Sequence, residues 1–203
     1  MEFNTIKDKL YKIYTEKEIK KQTVNIFGVR KSDSNSLRNM YEDVIGFDIN
    51  GEILIFEGTT NPGKYYTVNP INKLGCAHVK EGYHPDIWQV GIHLPDTRNA
   101  HEAFIQTGNK ITVLRDKNEN GIIDNDEVEY VGYFGINLHG GALSEDDNIN
   151  GWSAGCQVLR RRSELLNIVL PKIKSLPEFK SNPKMKFSYL LLDEKILPEV
   201  FVF

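Results

Sequence analysis

The chain has few cysteines, and this scarcity limits how its fold can be held together. It carries only Cys76 and Cys156, so a disulfide framework is excluded. No Cys-x-x-Cys pair is present, so a zinc site is not expected. The one exception is the triplet Cys76-Ala77-His78, which on a strand would present both polar side chains on one face. We interpret Cys76 as a small buried hydrophobe.

The sequence also lacks a basic excess and a long apolar run. Lysine and arginine number 25 against 28 acidic residues, for a formal net charge of -3. We therefore expect no nucleic-acid partner, because the phosphate backbone selects basic surfaces. No apolar window of about 18 residues exists, so no membrane span is predicted. The first residues lack the apolar core of a signal peptide, which leaves the localisation open.

Residues 1–23 are predicted to form an N-terminal amphipathic helix ahead of one domain over residues 24–203. In the first segment Ile6, Leu10, Ile13 and Tyr14 recur at helical spacing between lysines and glutamates. A hydrophobic content of 40% is ordinary for a globular domain. We expect the helix to pack on the domain's flank.

Short apolar runs separated by turn residues predict a mainly β fold of the sandwich type with peripheral helices. Asn50-Gly51 between two such runs is a strong hairpin signal. Tyr65 to Val68 is predicted as a short strand. Ser163 is predicted to cap a later helix, which Pro171 should end or kink.

Residues 134–160 contain the arrangement most suggestive of chemistry. A strand-like run ends at His139-Gly140, and Ser153-Ala154-Gly155-Cys156 precedes a short strand over 157–159. A histidine at the end of one strand and a cysteine at the start of the next can meet in space. An imidazole so placed takes the thiol proton, and the thiolate attacks.

This segment resembles the catalytic segment of the L,D-transpeptidase (YkuD-type) family, which carries a His-Gly, a spacer and Ser/Thr-His-Gly-Cys. The likeness extends weakly over residues 24–193, including the strand, Pro-Gly turn and strand of residues 52–69. Two departures stand out. Ala154 replaces the family's second histidine, and Gln157-Val158 stands where the family usually has an arginine or asparagine.

The resemblance implies a YkuD-like β-sandwich and a cysteine enzyme that acts on peptidoglycan stem peptides. Cys156 would be the nucleophile and His139 its base, oriented by a backbone carbonyl in the absence of an obvious acid. Backbone amides near Gly155 would stabilise the oxyanion, and Ser153 would hydrogen-bond within the turn or merely form it. The chemistry needs no cofactor, and a peptidoglycan substrate implies the cell envelope.

Substrate recognition is predicted beside the nucleophile. Arg160 shares a strand face with Cys156 and would bind a substrate carboxylate; the alternative is an arginine paired with an acid. Arg161 and Arg162 are expected to face solvent or to begin the next helix. Three further residues are candidates for substrate binding: Gly140, His93 and Trp152. For His93 the alternative is a strand histidine that is satisfied locally, and for Trp152 it is a side chain that fills the core under the loop. The acidic loop 143–150 is either a solvated loop or a lid.

Residues 116–127 match the twelve-residue calcium-loop pattern, with a glycine at the sharp turn. The predicted ligands alternate along the loop: Asp116, Asn118, Asn120, Ile122 through its carbonyl, Asp124 and Glu127. The flanks read as strands, so this would be an excursion within a β-hairpin, with calcium in a structural role. The alternative is a polar hairpin tip.

The sequence leaves the reaction's outcome open. An amine acceptor would give transpeptidation, and water would give L,D-carboxypeptidase or endopeptidase activity. Two further classes remain: a phage- or toxin-type cell-wall hydrolase with the same nucleophile, and a non-catalytic calcium-dependent wall-binding module with a buried Cys156 thiol. Fast thiol labelling would separate the enzymes from the binding module.

Overall fold

A computed structural model describes residues 2–124, 127–143 and 146–201, with the side chains of residues 2–4 left aside. The strands, in chain order, are β1 Val24–Arg30, β2 Asp43–Ile49, β3 Glu52–Thr59, β4 Cys76–Val79, β5 Gly82–His93, β6 His101–Gln106, β7 Ile111–Asp116, β8 Glu129–Gly132, β9 Leu138–Gly140, β10 Gln157–Leu159 and β11 Phe187–Asp193. The helices are α1 Glu2–Glu16, α2 Lys64–Val68, α3 Arg162–Glu164, α4 Leu170–Ser175 and α5 Pro177–Ser181, with a π-helical turn at Leu165–Val169 and 3-10 turns at Ser36–Arg38 and Pro198–Phe201.

Most of the strands form a closed barrel, in the order β1-β11-β5-β6-β9-β10-β3-β2. The mainly β prediction is confirmed, but these strands form one closed sheet where a sandwich would have two facing sheets. Closure depends on β1, which pairs in parallel with β11 and antiparallel with β2. A closed sheet leaves no unpaired edge among its own strands.

The hairpin predicted at Asn50-Gly51 is confirmed. β2 and β3 pair antiparallel from Asp43↔Gly58 to Ile49↔Glu52. Asn50 and Gly51 both have positive φ, 51° and 86°, as a type I′ turn requires. This local signal fixes the register of the longest antiparallel pair at that side of the barrel.

Aromatic side chains fill the barrel interior. Trp88, Phe104 and Tyr189 are fully buried there, and the Trp88 ring lies 4.9 Å from that of Tyr189. The indole nitrogen of Trp88 donates to the carbonyl of Ile136 at 2.7 Å, which satisfies its one polar group. Burying each such side chain contributes about 1.5–3 kcal/mol, so this cluster is a large part of the core.

A helix forms in the predicted N-terminal segment, but α1 ends at Glu16, before the predicted end at residue 23, and it packs on the outside of the barrel. Its apolar face buries Ile6, Leu10 and Ile13 in one cluster with Phe27 and Leu190 of β1 and β11. In the described part of the chain no helix is both long and apolar enough to cross a membrane.

A smaller sheet, in the order β4-β7-β8, lies beside the barrel. β7 and β8 pair antiparallel on either side of the residues predicted to form a calcium loop, so the strands predicted to flank these residues are confirmed. Ala77 and Val113 of this sheet join the barrel's core cluster. The strand-like run of residues 130–138 is divided, because β8 belongs to this sheet and β9 to the barrel.

The strand predicted for Tyr65 to Val68 is wrong, because this segment forms α2. The amide of Lys64 donates to Oδ1 of Asn39 at 3.1 Å, and Oγ1 of Thr67 donates to the carbonyl of Gly63 at 3.2 Å. A distant asparagine thus supplies an acceptor at the helix start, and this tertiary contact overrides the strand preference of β-branched and aromatic residues.

The helix after β10 also differs from its prediction. It begins at Arg162, so Ser163 lies inside it and the capping position is Arg161, without a side-chain cap. Pro171 does not end the helix, which runs on to Ser175. Just before it, the amide of Leu170 donates to the carbonyl of Leu165 in a widened π turn. Such a turn accommodates a proline that cannot donate a backbone hydrogen bond.

Candidate functional site

The predicted cysteine and histidine lie on neighbouring parallel strands of the barrel. β9 and β10 pair with the register Gln157↔Leu138 and Val158↔His139, and the amide of Gln157 donates to the carbonyl of Asn137 at 2.9 Å. Side chains alternate along a strand. Cys156, Val158 and His139 therefore leave the same face of this pair, as the strand-end argument requires.

The thiol of Cys156 is half-buried and contacts backbone groups. Its Sγ accepts from the amide of Asn137 at 3.4 Å, and the thiol donates to the carbonyl of Gly135 at 3.6 Å. Burial raises the pKa of Cys156 to about 11, and the Asn137 amide opposes that rise. At neutral pH the free protein therefore holds a neutral thiol.

The turn before the nucleophile is organised by Ser153. Its hydroxyl donates to the carbonyl of Cys156 at 2.8 Å and accepts from the amide of Gly155 at 3.2 Å. Ser153 thus both hydrogen-bonds and forms the turn. The Gly155 amide, predicted as an oxyanion donor, is already used by Ser153, whereas the Asn137 amide points at the sulfur itself.

Three histidines meet at this face. The rings of His139 and His93 stack with centroids 4.0 Å apart and planes 13° from parallel. His101 contacts both edge-on, at 5.7 Å from His139 and 5.4 Å from His93. The second contact follows from the β5–β6 register, which pairs His93 with His101. His93 is therefore part of the site and not an isolated strand residue.

His139 is held in one tautomer. Its Nδ1 donates to the carbonyl of Gly140 at 2.9 Å, so a neutral ring has its lone pair on Nε2. That atom is buried and has no hydrogen-bond partner among the described residues. An unsatisfied buried polar atom is costly, so Nε2 has a lone pair that can accept a proton. The backbone carbonyl anticipated as the orienting group is thus Gly140's.

Both stacked imidazoles are held neutral. Burial and, next in size, the neighbouring His93 lower the pKa of His139 to about 3. Burial also lowers the pKa of His93 to about 4, with contributions from His101 and Arg162. A resting thiolate–imidazolium pair is therefore not the state of the free protein at neutral pH.

Neither stacked imidazole hydrogen-bonds to the sulfur; Asn137 connects the two groups. Its amide donates to Sγ, its Nδ2 donates to Nδ1 of His93 at 3.1 Å, and its Oδ1 accepts from the amide of Gln106 at 2.9 Å. Sequence reasoning missed Asn137. The available signal was its position two residues before His139, on the same strand face.

Arg160 and Arg162 have different surroundings. Arg160 pairs with Glu57 at 2.8 Å and also with Asp147, which is the alternative considered for it. Arg162 begins α3 as one expectation had it, but it is buried and does not face solvent. Its guanidinium lies 5.1 Å from the ring centroid of half-buried Trp152, and it contributes to lowering the pKa of His139.

The guanidinium beside the histidine cluster belongs to Arg162. Its Nε donates to the carbonyl of Gly141 at 2.9 Å, and its Nη2 is buried without a hydrogen-bond partner in the described ranges. Gly140 permits this approach, because a Cβ there would lie 2.5 Å from the Cα of Arg162. Of the predicted substrate residues, Gly140 and Trp152 thus lie against Arg162, and the charge of Arg162 contributes to lowering the pKa of His93.

The acidic loop 143–150 is partly described, since Ser144 and Glu145 lie outside the described residues. Its remaining part is held in place by hydrogen bonds and a β-bridge. Asn39 Nδ2 donates to Asn148 at 3.3 Å and to Asn150 at 2.8 Å, and Met40 forms an antiparallel bridge with Asn148. These contacts bind the later half of the loop to the segment before β2.

The predicted calcium loop is closed by its own hydrogen bonds. Asp116 accepts from the amides of Asn120 at 3.2 Å and Gly121 at 2.8 Å. The carboxamide nitrogens of Asn118 and Asn120 both donate to Oδ2 of Asp124, at 2.8 and 2.9 Å. In this arrangement the two carboxamides present nitrogen, not oxygen, to the loop's centre.

A calcium ion would require those two carboxamides to turn over, so calcium binding stays a prediction. A cavity of about 370 Å³ is lined by Asn118, Asp124 and Glu127, and the side chain of the ligand candidate Ile122 is exposed. Asn125 and Asp126 lie outside the described residues. The donor set is one of hard oxygen atoms, which suits calcium.

Comparison with known proteins adds no relative. No protein-family model, no curated protein and no solved structure matches this chain. Arguments about its activity therefore depend on its own residues.

Proposed function

We propose that this protein is a cysteine acyl-transfer enzyme that acts on peptidoglycan stem peptides through a thioester on Cys156. The observation that carries the proposal is the pairing of a half-buried thiol with an unsatisfied imidazole nitrogen on one strand face. Cys156 contacts the amide of Asn137, and Nε2 of His139 has no partner in the described part of the chain.

The residues suggest how the reaction would run. In a regular parallel pair the Cα atoms of Cys156 and His139 are about 8 Å apart, a span that a thiol and an imidazole bridge together. The Cys156 side chain would turn from Gly135 toward His139, whose Nε2 accepts the thiol proton as sulfur attacks the acyl carbon. The imidazolium then protonates the leaving amine, which leaves a thioester.

We assign the backbone amide of Asn137 a role in catalysis. It donates to Sγ in the free protein. When the sulfur turns toward His139 and becomes bonded to carbon, the amide is released near the reacting centre, where it can donate to the oxyanion. It would replace the Gly155 amide, which Ser153 already uses.

Substrate recognition is assigned to Arg162 in place of Arg160. A stem peptide carries carboxylates, and a guanidinium binds a carboxylate through a two-pronged pair of hydrogen bonds. Arg162 retains an unused terminal nitrogen, Nη2, beside the histidines, whereas both terminal nitrogens of Arg160 are paired with Glu57 and Asp147 and its unused nitrogen is Nε. Trp152 supports the guanidinium from one face.

The assignment to the L,D-transpeptidase (YkuD-type) family, including correspondence of the barrel to that family's fold, is part of the same proposal. It is supported by His139-Gly140 and by the Ser153 to Cys156 turn preceding β10. An amine acceptor makes the protein a transpeptidase, and water makes it an L,D-carboxypeptidase, endopeptidase or phage-type hydrolase. The two outcomes share every residue named for the acylation step.

Incubation with purified muropeptides tests the proposal. We expect cleaved or cross-linked products by mass spectrometry, and an acyl adduct on the tryptic peptide that contains Cys156. The Cys156→Ala variant should give neither, and Cys156→Ser should retain the fold with at most a trace of activity. Unmodified muropeptides after incubation with folded wild-type protein would refute the enzyme assignment.

The non-catalytic wall-binding module is the second candidate. It is favoured by one observation, which is that the neutral Cys156 thiol has no hydrogen bond to either stacked imidazole. Sedimentation with purified sacculi distinguishes the two. A binding module would cosediment with calcium present, equally well as wild type and as Cys156→Ala, and would leave the sacculi chemically unchanged.

A further inference from the structure

A second polar cluster lies in the small sheet and is built from residues that the Cys156 site does not use. Cys76 and His78 are two residues apart on β4 and share one face. β7 pairs antiparallel with β4 in the register Cys76↔Asp116, which brings Asp116 to the same face. All three side chains are buried. The register of a single strand pair therefore assembles a thiol, an imidazole and a carboxylate.

The three donor atoms are already close to the spacing that a metal ion imposes. Cys76 Sγ lies 3.8 Å from Nε2 of His78 and 3.9 Å from Oδ2 of Asp116, and all three atoms lie within 4.8 Å of one another. Tetrahedral zinc, with bonds of about 2.3 Å to sulfur and about 2.0–2.1 Å to nitrogen or oxygen, separates two ligands by about 3.6 Å.

Asn61 prepares His78 for this role. Its Oδ1 faces Nδ1 of His78 at 3.1 Å, while its Nδ2 donates to Asp43 at 3.0 Å and to Ser34 at 2.6 Å. The donations to Asp43 and Ser34 fix the orientation of the carboxamide, so Nδ1 of His78 carries the proton. Nε2 then has its lone pair directed at Cys76, as a metal-binding histidine with an outer hydrogen-bond partner does.

Hydrogen bonding alone serves the Cys76 thiol poorly. Its separations of 3.8 Å from His78 and 3.9 Å from Asp116 are weak contacts, although the side chain is buried. A dication would neutralise a thiolate and a carboxylate together, which removes the repulsion between two adjacent negative charges.

We propose that Cys76, His78 and Asp116 bind one zinc ion through Sγ, Nε2 and Oδ2. The donor set of sulfur, nitrogen and oxygen matches zinc rather than calcium or magnesium. A cavity of about 280 Å³ that Cys76, Phe134 and Ala154 help to line gives an entry path and room for a water as fourth ligand. On binding, the thiol releases its proton to solvent.

The ion would join β4 to β7 and fix the start of the 116–127 loop. Asp116 already accepts from the amide of Gly121 through the oxygen that faces Cys76. Zinc on that carboxylate would therefore hold the loop's first turn as well as the strand pair. This role is independent of acyl transfer at Cys156.

Titration of the full-length, chelator-treated protein tests the site. We expect one zinc per chain by calorimetry, and a cobalt(II) adduct with an intense thiolate-to-metal absorption. Cys76→Ala, His78→Gln and Asp116→Asn should each lower zinc affinity more than about hundredfold, and Asn61→Ala about 10–100-fold. The controls Cys156→Ala and His93→Ala should bind zinc like wild type.

The cobalt spectrum of the wild-type protein keeps the test decisive even if a ligand variant fails to fold by circular dichroism. An adduct without the thiolate band would overturn the proposal, as would wild-type protein that binds no zinc. Zinc binding abolished by His93→Ala but unaffected by Cys76→Ala would place the ion in the three-histidine cluster instead and would equally overturn it.

Discussion

His139 stacks on His93 with ring centroids 4.0 Å apart and planes 13° from parallel. Two rings in this arrangement cannot both be positively charged imidazolium ions without strong like-charge repulsion. The Gly140 carbonyl fixes the proton of neutral His139 on Nδ1. The pair is therefore an acceptor at neutral pH, which is the property that a general base for Cys156 needs.

Replacing the nucleophile should abolish acyl transfer without unfolding the protein. We expect Cys156→Ala to lower the rate about 10⁴-fold or more, because no other thiol lies on this face of β9 and β10 in the described residues. The melting temperature should change little, since the thiol is half-buried and makes long contacts. Muropeptide turnover and thermal melting measure the two effects, and full activity in the variant would exclude Cys156 as nucleophile.

Alkylation of Cys156 should follow the titration of a thiol whose pKa is raised. Burial raises the pKa of Cys156 to about 11, so its thiolate fraction grows about tenfold per pH unit below that value. We expect the iodoacetamide rate at the Cys156 peptide to climb from pH 7 to 10, while a free cysteine derivative levels off earlier. A rate already constant above pH 6 would indicate a preformed thiolate–imidazolium pair and contradict this prediction.

Arg162→Lys should weaken substrate binding more than it slows catalysis. Lysine keeps the positive charge but loses the two-pronged geometry, so we expect KM for a carboxylate-bearing stem peptide to rise about tenfold with little change in kcat. Arg160→Lys is the matched control and should have little effect. An amidated substrate should be insensitive to either change. Equal effects of both variants on the two substrates would mean that recognition lies elsewhere.

Acid should destabilise the fold through His139. Its pKa is about 3 in the folded protein, below the ordinary 6.5, and the groups that face it are His93, His101 and Arg162. Between those values unfolding takes up a proton, so the unfolding free energy falls as pH falls, by up to about 1.4 kcal/mol per pH unit. Urea denaturation from pH 7 to 5 should show a shallower slope in His139→Gln. An unchanged slope would contradict burial of a neutral His139.

Calcium should stabilise the 116–127 hairpin if its two carboxamides turn over. An ion that binds only the folded state adds about 2.7 kcal/mol at a hundredfold excess over Kd. Melting curves with calcium should lie above those with magnesium, and Asp124→Asn should remove the difference while exposed Asp96→Asn keeps it. Superimposable curves in the wild type would leave the hairpin-tip interpretation.

The sequence predicted correctly those elements whose structure depends on residues that are adjacent in the chain. The Asn50-Gly51 turn and the strand at Gln157–Leu159 follow from adjacent residues. Tyr65 to Val68 was mistaken for a strand because the acceptor at the helix start comes from Asn39. Barrel closure was missed for the same reason, since it depends on β1 meeting β11.

The strand positions of Cys156 and His139, the candidate reactive residues, were predictable, but their surroundings were not. The strand pairing of Cys156 and His139 follows from the segment's own pattern. The registers His93↔His101 and Cys76↔Asp116 join separate strands, and nothing in one sequence specifies such pairings. The buried position of Arg162 was not predicted. A residue expected at a helix start on the surface instead turns inward against Trp152. The Cys76-Ala77-His78 triplet could be recognised in the sequence, but Asp116 could not be assigned to the same cluster.

The pairing of β1 with β11 sets the order in which the barrel can form during synthesis. β1 can pair with β2 as soon as the two strands emerge, but its other neighbour lies at Phe187–Asp193. Until β11 has been synthesised, one edge of β1 has no strand partner, and the β9–β10 pair belongs to an unclosed sheet. Long-range closure of this kind slows folding and exposes an aggregation-prone edge. Nascent chains stalled before β11 should therefore depend on chaperones and lack an assembled Cys156 site.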